Sequence, residues 1–296
     1  MTRQTSRPDP RRIRAVQRRL RAHQGTFSPK PRLPVIDEIV ATVLSQHTSD
    51  INSERAFARL KERFPSWEQV LDAPPEDVAD AIRCGGIADQ KARRIKQILG
   101  AIEEREGRID LGRLHDLSDA AAEAYLRSLP GVGPKTAACV LVFSMGRAAF
   151  PIDTHVHRVA ARLGWIPAGT NADKAYQLLA PRVPPDIRYD LHLALITHGR
   201  TVCRAQRPRC DVCVLRDLCD YASAAGALAP VQRGTPRRLV EPAARAEGQG
   251  SSSAAAPAAR NPGARSLVAM TGQPRRRVAR TACAAAASPA KWSLAR

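Results

Sequence analysis

The stretch LPGVGPKTAACVLVFSMGRAAFPID, residues 129–153, decides the fold and the chemistry of this chain. It opens with the glycine turn Gly131-Val132-Gly133 and then enters a helix, because Pro134 suits a first helical position, where its missing N–H is no loss. Lys135 lies in the first turn of that helix, and Asp153 follows 18 positions later. The pattern predicts a helix–turn–helix unit that presents a lysine and an aspartate.

The positive charge of the chain lies at its two ends. The 296 residues carry a formal net charge of +19. Residues 1–32 contribute +9 and residues 221–296 contribute +10, so the residues between them are neutral in sum. Because a basic tail attracts any polyanion, the net charge does not establish that the folded core binds DNA. That conclusion must come from the motifs.

No segment of the sequence predicts export or a membrane anchor. No apolar run approaches the roughly 18 residues of a membrane-spanning helix, and the Arg-rich start lacks the apolar core of a signal peptide. Four of the seven cysteines are bunched, which is typical of a metal site in a reducing compartment. We therefore expect a cytoplasmic protein with no transmembrane segment.

Helical periodicity dominates the middle of the chain. Apolar residues recur at helical spacing from Pro34 onward, and Ser49 or Asp50, Ser66 and Ser118 can cap successive helices. Further helices fit residues 154–163, 172–180 and 187–199. The period-two alternation of strands is absent. The prediction is an all-α fold.

Composition divides the chain into four expected segments. Residues 1–29 form a basic N-terminal arm, which is either a short helix docked by one apolar stripe or a solvated arm. Residues 30–147 form a helical domain that contains the glycine turn, and residues 148–222 form a domain around the cysteines. Residues 223–296 are rich in Ala, Pro, Ser, Gly and Arg, and we expect them to be disordered.

The bunched cysteines have the spacing of a metal centre. Four thiolates on one loop can hold zinc or a [4Fe–4S] cluster, and a single C-x2-C pair with longer flanking loops favours the cluster. Basic residues before and between the ligands would form a local patch for phosphates. The candidate ligands are Cys203, Cys210, Cys213 and Cys219, and the candidate DNA-binding arginines are Arg200, Arg204, Arg207 and Arg209.

The glycine turn and its lysine point to chemistry on DNA. Glycines allow a close approach of the backbone, and N–H groups at a helix start bind phosphate. A lysine beside that phosphate is a nucleophile only when neutral, and a helix N-terminus supplies only about 0.3–1 kcal/mol toward that state. Lys135 would therefore need burial against DNA. Asp153 favours the ammonium instead, so its better role is to stabilise positive charge on the sugar, while also capping the next helix.

Four segments together resemble the endonuclease III family of helix–hairpin–helix DNA glycosylases. LPGVGPKTA at 129–137 is similar to the family hairpin, and IDTHVHRV at 152–159 to the segment with the catalytic aspartate. HGRTVCRAQRPRCDVC at 198–213, closed by Cys219, matches the [4Fe–4S] ligand spacing. LSQHTSD at 44–50 resembles the loop whose glutamine, here Gln46, fills the gap left by an extruded base.

The resemblance implies a bifunctional base excision repair enzyme with a six-helix domain and a cluster domain. Lys135 would attack C1′ so that the base leaves, a Schiff base would then form, and β-elimination would nick the strand, with Asp153 as the second catalytic residue. Gly131, Val132 and Gly133 would contact DNA. The implied substrates are oxidised pyrimidines and abasic sites in double-stranded DNA. The family also implies a monomer associated with the nucleoid and not with membranes.

Two departures from the family pattern bear on the substrate. Pro134 replaces a basic residue before the lysine, and Arg127 stands where the type enzyme has an acid near the base pocket. Thr42 lacks the carboxylate of enzymes that remove adenine from mispairs. A uracil or thymine mismatch glycosylase and a non-catalytic iron–sulfur DNA-binding protein stay as alternatives, although the second does not explain the joint match of Lys135 and Asp153.

Overall fold

The computed structural model of the protein describes residues 8–29 and 32–224, which fold into helices and turns without a strand. This confirms the all-α prediction. The predicted disordered segment lies outside the described residues from residue 225 onward. The α-helices of the described part are α1 (Pro10–Gln24), α2 (Val35–Leu44), α3 (Asp50–Arg63), α4 (Trp67–Asp72), α5 (Pro75–Ala81), α6 (Ala88–Glu106), α7 (Asp119–Ser128), α8 (Pro134–Cys139), α9 (Thr154–Arg162), α10 (Ala172–Leu179), α11 (Arg188–Thr201) and α12 (Asp220–Ala224).

Side-chain caps explain where several of these helices begin. Ser49, Ser66 and Ser118 each accept a hydrogen bond at 3.3 Å from the backbone N–H three residues later. Such a cap satisfies a donor that has no partner inside the helix. The C-terminal end of α6 shows a different cap. The helix ends at Gly107, which has a φ of +70°, a left-handed conformation that glycine adopts without strain.

Two apolar cores organise the described residues. The first is built from α2 to α8 and the turns between them, with buried residues from Val35 to Ala149. The second combines α1 with α9, α10 and α11, and its members after α1 run from Phe150 to Leu215. The cores meet in sequence between residues 149 and 150, just before Asp153. The four-segment division of the chain stays a prediction, which these two cores support.

The basic N-terminal segment is a docked helix over residues 10–24. Ile13, Val16 and Leu20 are 0% exposed in the second core, which favours the docked alternative over a solvated arm. Polar contacts then hold the helix against later parts of the chain. Gln17 Nε2 donates to Asp190 Oδ2 at 2.6 Å, and three arginines of α1 pair with the acids Asp186, Asp217 and Asp220.

The helix that carries the lysine changes its winding in the middle. α8 continues from Cys139 into a π-helical turn, Val140–Ser144. Ser144 Oγ donates to Leu33 O at 2.7 Å, which ties this turn to the start of α2. No helix in residues 8–29 or 32–224 is long and apolar enough to cross a membrane.

Candidate active site and iron–sulfur centre

One cavity of about 700 Å³ brings together residues from both cores. Its volume lies in the range of roughly 300–1,000 Å³ that is usual for small-molecule sites. Lys135 and Asp153 both line it, although they belong to different helices. Its main lining groups with polar or sulfur atoms are Glu38, Thr42, Gln46, His47, Asp50, Lys135, Cys139, Asp153, His155, His157, His192 and Arg200.

The glycine turn is tight and presents backbone at the surface. Gly131 has a φ of +71°, and Gly133 is the N-cap of α8. Both glycines are exposed, whereas Val132 is buried and its N–H donates to Leu129 O at 3.1 Å. In this structure the Val132 N–H is used within the turn.

Arg94 on α6 lies against this turn. A Cβ atom at position 131 would come within 2.9 Å of the Arg94 side chain, so only glycine fits there without a shift. The sequence does not reveal this approach, because Arg94 is 37 positions before Gly131 and sits in an ordinary helical pattern. The turn therefore has a basic neighbour even though Pro134 replaces the basic residue of the family pattern.

The electrostatics of Lys135 favour its charged form. Burial alone would lower the pKa of Lys135, but the nearby Cys139, Asp153 and Glu38 outweigh burial and raise the pKa above its ordinary value. Burial also raises the pKa of Cys139 to about 11, so that thiol is neutral near pH 7. The two carboxylates are then the groups that hold the lysine as an ammonium.

Asp153 is fixed by the start of α9. Its Oδ1 accepts a hydrogen bond at 2.7 Å from the N–H of Val156, and its backbone is extended, as expected of an N-cap. This bond fixes the carboxylate at the first turn of α9, where Asp153 lines the cavity.

Sequence reasoning missed three groups in the cavity wall. Glu38 is 8% exposed on α2, and its Oε1 accepts from Thr42 Oγ1 at 3.2 Å. Cys139 lies one turn after the lysine. His192 on α11 is 2% exposed, and its Nδ1 lies 3.0 Å from Pro151 O. Glu38 and His192 sit in patterns that predict core-facing helix positions, so only the cavity identifies them.

The loop between α2 and α3 forms one edge of the cavity. Gln46 is half-buried and His47 is exposed beside it, with a φ of +53° that is uncommon for a residue other than glycine. The base of the loop is anchored from below by Lys91, which is 5% exposed and donates to Leu44 O at 2.8 Å and to Gly85 O at 2.9 Å.

An ion pair lies in the cavity wall next to this loop. Arg200 donates to both carboxylate oxygens of Asp50 at 2.6 and 3.0 Å, a bidentate pair that joins the start of α3 to the end of α11. Arg200 was predicted to bind DNA, and its guanidinium is occupied by Asp50 in this structure. Arg127 lies away from the cavity, where it pairs with Glu123 at 3.5 Å.

The four clustered cysteines line a second pocket. Cys203, Cys210, Cys213 and Cys219 share it with apolar residues of the second core, and none of these four is in a disulfide bond. Within the described ranges no three His, Cys, Asp or Glu side chains are close enough to hold a single metal ion. Four thiols that line one pocket supply the donor set of an iron–sulfur cluster.

Hydrogen-bond donors surround these sulfurs. Arg162 Nη1 lies 3.3 Å from Cys203 Sγ, and His198 Nε2 lies 3.6 Å from Cys213 Sγ. Burial raises the pKa of Cys213 to about 11, and a bound cationic group would favour the thiolate form of this residue. Such a group would be held by the four cysteines and would supply a rigid support for the loop 203–219.

The arginines of this loop are directed to solvent. Arg204, Arg207 and Arg209 are exposed, and none of them pairs with an acid among the described residues. They contrast with Arg158 and Arg162, whose guanidinium groups donate to backbone carbonyls of the same region. The exposed guanidinium groups of Arg204, Arg207 and Arg209 therefore have no acidic partner in the part of the chain that the structure describes.

Comparisons with known proteins agree with both sites. A family model described as HhH-GPD superfamily base excision DNA repair protein matches residues 40–185. A second model, the iron–sulfur binding domain of endonuclease III, matches residues 203–219. Endonuclease III of Thermotoga maritima is 36% identical over 183 residues, which are 62% of this chain and 81% of that protein.

Two further similarities extend this result. An Arabidopsis thaliana protein named as a DNA glycosylase is 43% identical over 166 residues, 56% of this chain and 57% of that protein, so the match spans little more than half of that relative. The solved structure of a trapped endonuclease III–DNA covalent intermediate superposes with a TM-score of 0.63 at 26% identity, covering 74% of this chain and 99% of that chain.

The fold and the two sites thus define a helix–hairpin–helix DNA repair protein with an iron–sulfur domain. The chain belongs to the HhH-GPD superfamily of base excision DNA repair proteins, in its endonuclease III branch. It is a DNA glycosylase and abasic-site lyase that binds DNA. Its cofactor is an iron–sulfur cluster, conventionally [4Fe–4S].

Proposed function

We propose that this enzyme removes oxidised pyrimidines from double-stranded DNA and cleaves abasic sites, with Lys135 as the nucleophile and Asp153 as the electrostatic catalyst. The observation that carries the proposal is the joint position of these two residues in one cavity, beside the glycine turn and the Gln46 loop. A cavity of about 700 Å³ has room for an extruded base and its sugar.

The chemistry divides between the two residues. The neutral amine of Lys135 attacks C1′ of the flipped nucleotide, and the base leaves with the bonding electrons. Asp153 lowers the energy of the positive charge that develops on the sugar. The Schiff base that results acidifies the neighbouring carbon, and β-elimination then breaks the strand on its 3′ side. Each step uses side chains of the cavity wall.

We assign DNA contacts to three places. The N–H groups of Gly131 and Gly133, set in position by buried Val132, would hold a phosphate. Gln46 would fill the gap in the duplex, with exposed His47 beside it. Arg204, Arg207 and Arg209 would bind the backbone further along, where the iron–sulfur cluster on Cys203, Cys210, Cys213 and Cys219 stiffens their loop. Arg200, which is also predicted to bind DNA, pairs with Asp50 in the free protein.

The experiment that tests this function is covalent trapping. The protein is incubated with an abasic-site duplex and borohydride, which reduces a Schiff base to a stable adduct. Wild-type protein should give the adduct, whereas Lys135→Ala and Lys135→Arg should not. Lys135→Arg keeps the charge and should keep DNA binding. Exposed Lys174 offers a matched control, since Lys174→Ala should trap normally. An undiminished adduct from Lys135→Ala would refute the assignment.

Base specificity requires a separate measurement. A panel of duplexes with thymine glycol, uracil or thymine opposite guanine, and intact bases should show base release from the oxidised pyrimidine first. Faster release of uracil or thymine opposite guanine would instead identify the enzyme as a mismatch glycosylase. The proposal also includes a monomer that acts on nucleoid DNA, and light scattering of the purified protein measures its mass directly.

A further inference from the structure

The proposed reaction needs a group that accepts the proton of the Lys135 ammonium. The lysine must lose this proton before it attacks, and its pKa lies above the ordinary value in the free protein. A proton acceptor within the cavity would solve this problem. The acidic, basic and thiol groups that face Lys135 from the surrounding helices are Glu38 on α2, Cys139 on α8, Asp153 at the start of α9 and His192 on α11.

Three of these groups are poorly suited to accept it. The Cys139 thiol is neutral, with a pKa of about 11. Burial lowers the pKa of His192 to about 4, and Nδ1 of this ring bonds to Pro151 O, so the imidazole is a weak base. Asp153 is held by the helix N–H of Val156 and is required as an anion when positive charge develops on the sugar.

Glu38 differs from Asp153 in its surroundings. It is 8% exposed on α2, it lines the cavity, and one of its carboxylate oxygens accepts a hydrogen bond from Thr42. Desolvation raises its pKa to about 7, against the smaller opposing effects of Thr42 and Lys135. Near neutral pH such a carboxyl group can both take up and release a proton, which is the property of an efficient acid–base catalyst.

We propose that Glu38 accepts the proton that Lys135 must lose and passes it to the departing base. In the first step an N–H bond of the Lys135 ammonium breaks and an O–H bond forms on Glu38, which leaves a neutral amine and a neutral carboxylic acid. This inference rests on the proposed function of Lys135.

The later steps conserve atoms and charge. The amine forms a bond to C1′ while the bond from C1′ to the base breaks, and the electron pair of that bond leaves with the base. The base anion then takes the proton from Glu38. The products are a sugar–lysine ammonium adduct and a neutral base, and Glu38 is again a carboxylate. The total charge of +1 on lysine and sugar is the same before and after.

The role predicts a specific pH dependence. Glu38 must be ionised at the start, so single-turnover base release should fall as the pH drops below about 7. Glu38→Gln removes the acceptor and keeps the size of the side chain. We expect this variant to release an oxidised pyrimidine about 10²-fold more slowly at pH 7.5, with no inflection near pH 7. Glu38→Asp should restore the inflection at a reduced rate.

Two further variants separate this role from a structural one. Glu62→Gln makes the same chemical change at an exposed position of α3 and should match wild type. Thr42→Val removes the hydrogen bond that lowers the pKa of Glu38, so its inflection should move to higher pH. This shift also tests the proposal if Glu38→Gln fails to fold.

The outcomes distinguish this proposal from the one on which it rests. If wild-type protein forms no borohydride adduct, the lyase assignment fails. If wild type forms the adduct but Glu38→Gln keeps the rate within about threefold and the same inflection, the role of Glu38 is refuted. An unmoved inflection in Thr42→Val would also refute it.

Discussion

Replacing Asp153 by asparagine separates two tasks of this side chain. As a cap, Asp153 accepts one hydrogen bond at 2.7 Å from the first turn of α9. Asparagine caps helices about as well as aspartate, so Asp153→Asn should change the free energy of unfolding by less than about 0.5 kcal/mol. Alanine cannot cap, and Asp153→Ala should cost about 1 kcal/mol of stability.

The catalytic cost should be much larger than the structural cost. A carboxylate about 5 Å from a developing unit charge contributes about 3 kcal/mol at an effective dielectric constant of about 20. Loss of that charge should slow base release by about 10²-fold in both variants. Because the same change removes a group that raises the pKa of Lys135, adduct formation at a preformed abasic site should fall much less.

The assay is single-turnover base release beside borohydride trapping, with thermal unfolding of each variant. Ser118→Ala removes a comparable cap from α7, outside the cavity, and should lower stability without a change in either rate. Base release by Asp153→Asn within about threefold of wild type would show that the charge is not used. Equal losses in base release and trapping would show that Asp153 acts on the lysine and not on the sugar.

Two other predictions concern groups that the structure revealed. Lys91→Met removes two charged hydrogen bonds to buried carbonyls, so unfolding should become easier by about 2–4 kcal/mol. Thermal unfolding should detect this as a lower Tm, and an unchanged Tm would contradict the anchoring role. Arg94→Ala removes the cation beside Gly131, so the slope of log affinity for DNA against log salt should shrink by about 0.9. Binding titrations at several salt concentrations measure the slope, and an unchanged slope would exclude a phosphate contact.

Local signals explain why much of the fold is predictable. Helix starts at Ser49, Ser66 and Ser118 depend on neighbours three residues away, so a sequence contains all the information for them. For the basic N-terminal segment, local signals are not sufficient to predict the structure. Its apolar stripe permits either a docked helix or a solvated arm, and the choice depends on contacts with residues more than 160 positions away, such as Asp190.

The candidate site likewise contains residues that local sequence identifies and residues that only the tertiary structure identifies. Lys135 lies in a local motif, and Asp153 occupies a helix cap, so residue type and spacing identify both. The roles predicted for these residues and for the DNA contacts stay predictions, which the trapping experiments test. Glu38 and Arg94 have no such local signal. In a regular helix, a buried glutamate and a surface arginine have no local pattern that indicates a function. Their proximity to the cavity and to the glycine turn is visible only when the neighbouring helices are known.

The sequence by itself determined the helical class, the family, the four-cysteine centre and the lysine–aspartate pair, because each depends on spacing along the chain. Only the tertiary structure decided which groups surround Lys135 and which arginines have acidic partners among the described residues. It brought Glu38 and Lys135 into the wall of one cavity and paired Arg200 with Asp50. Charge interactions depend on distance in space and on burial, and the chain sets both only when its helices pack.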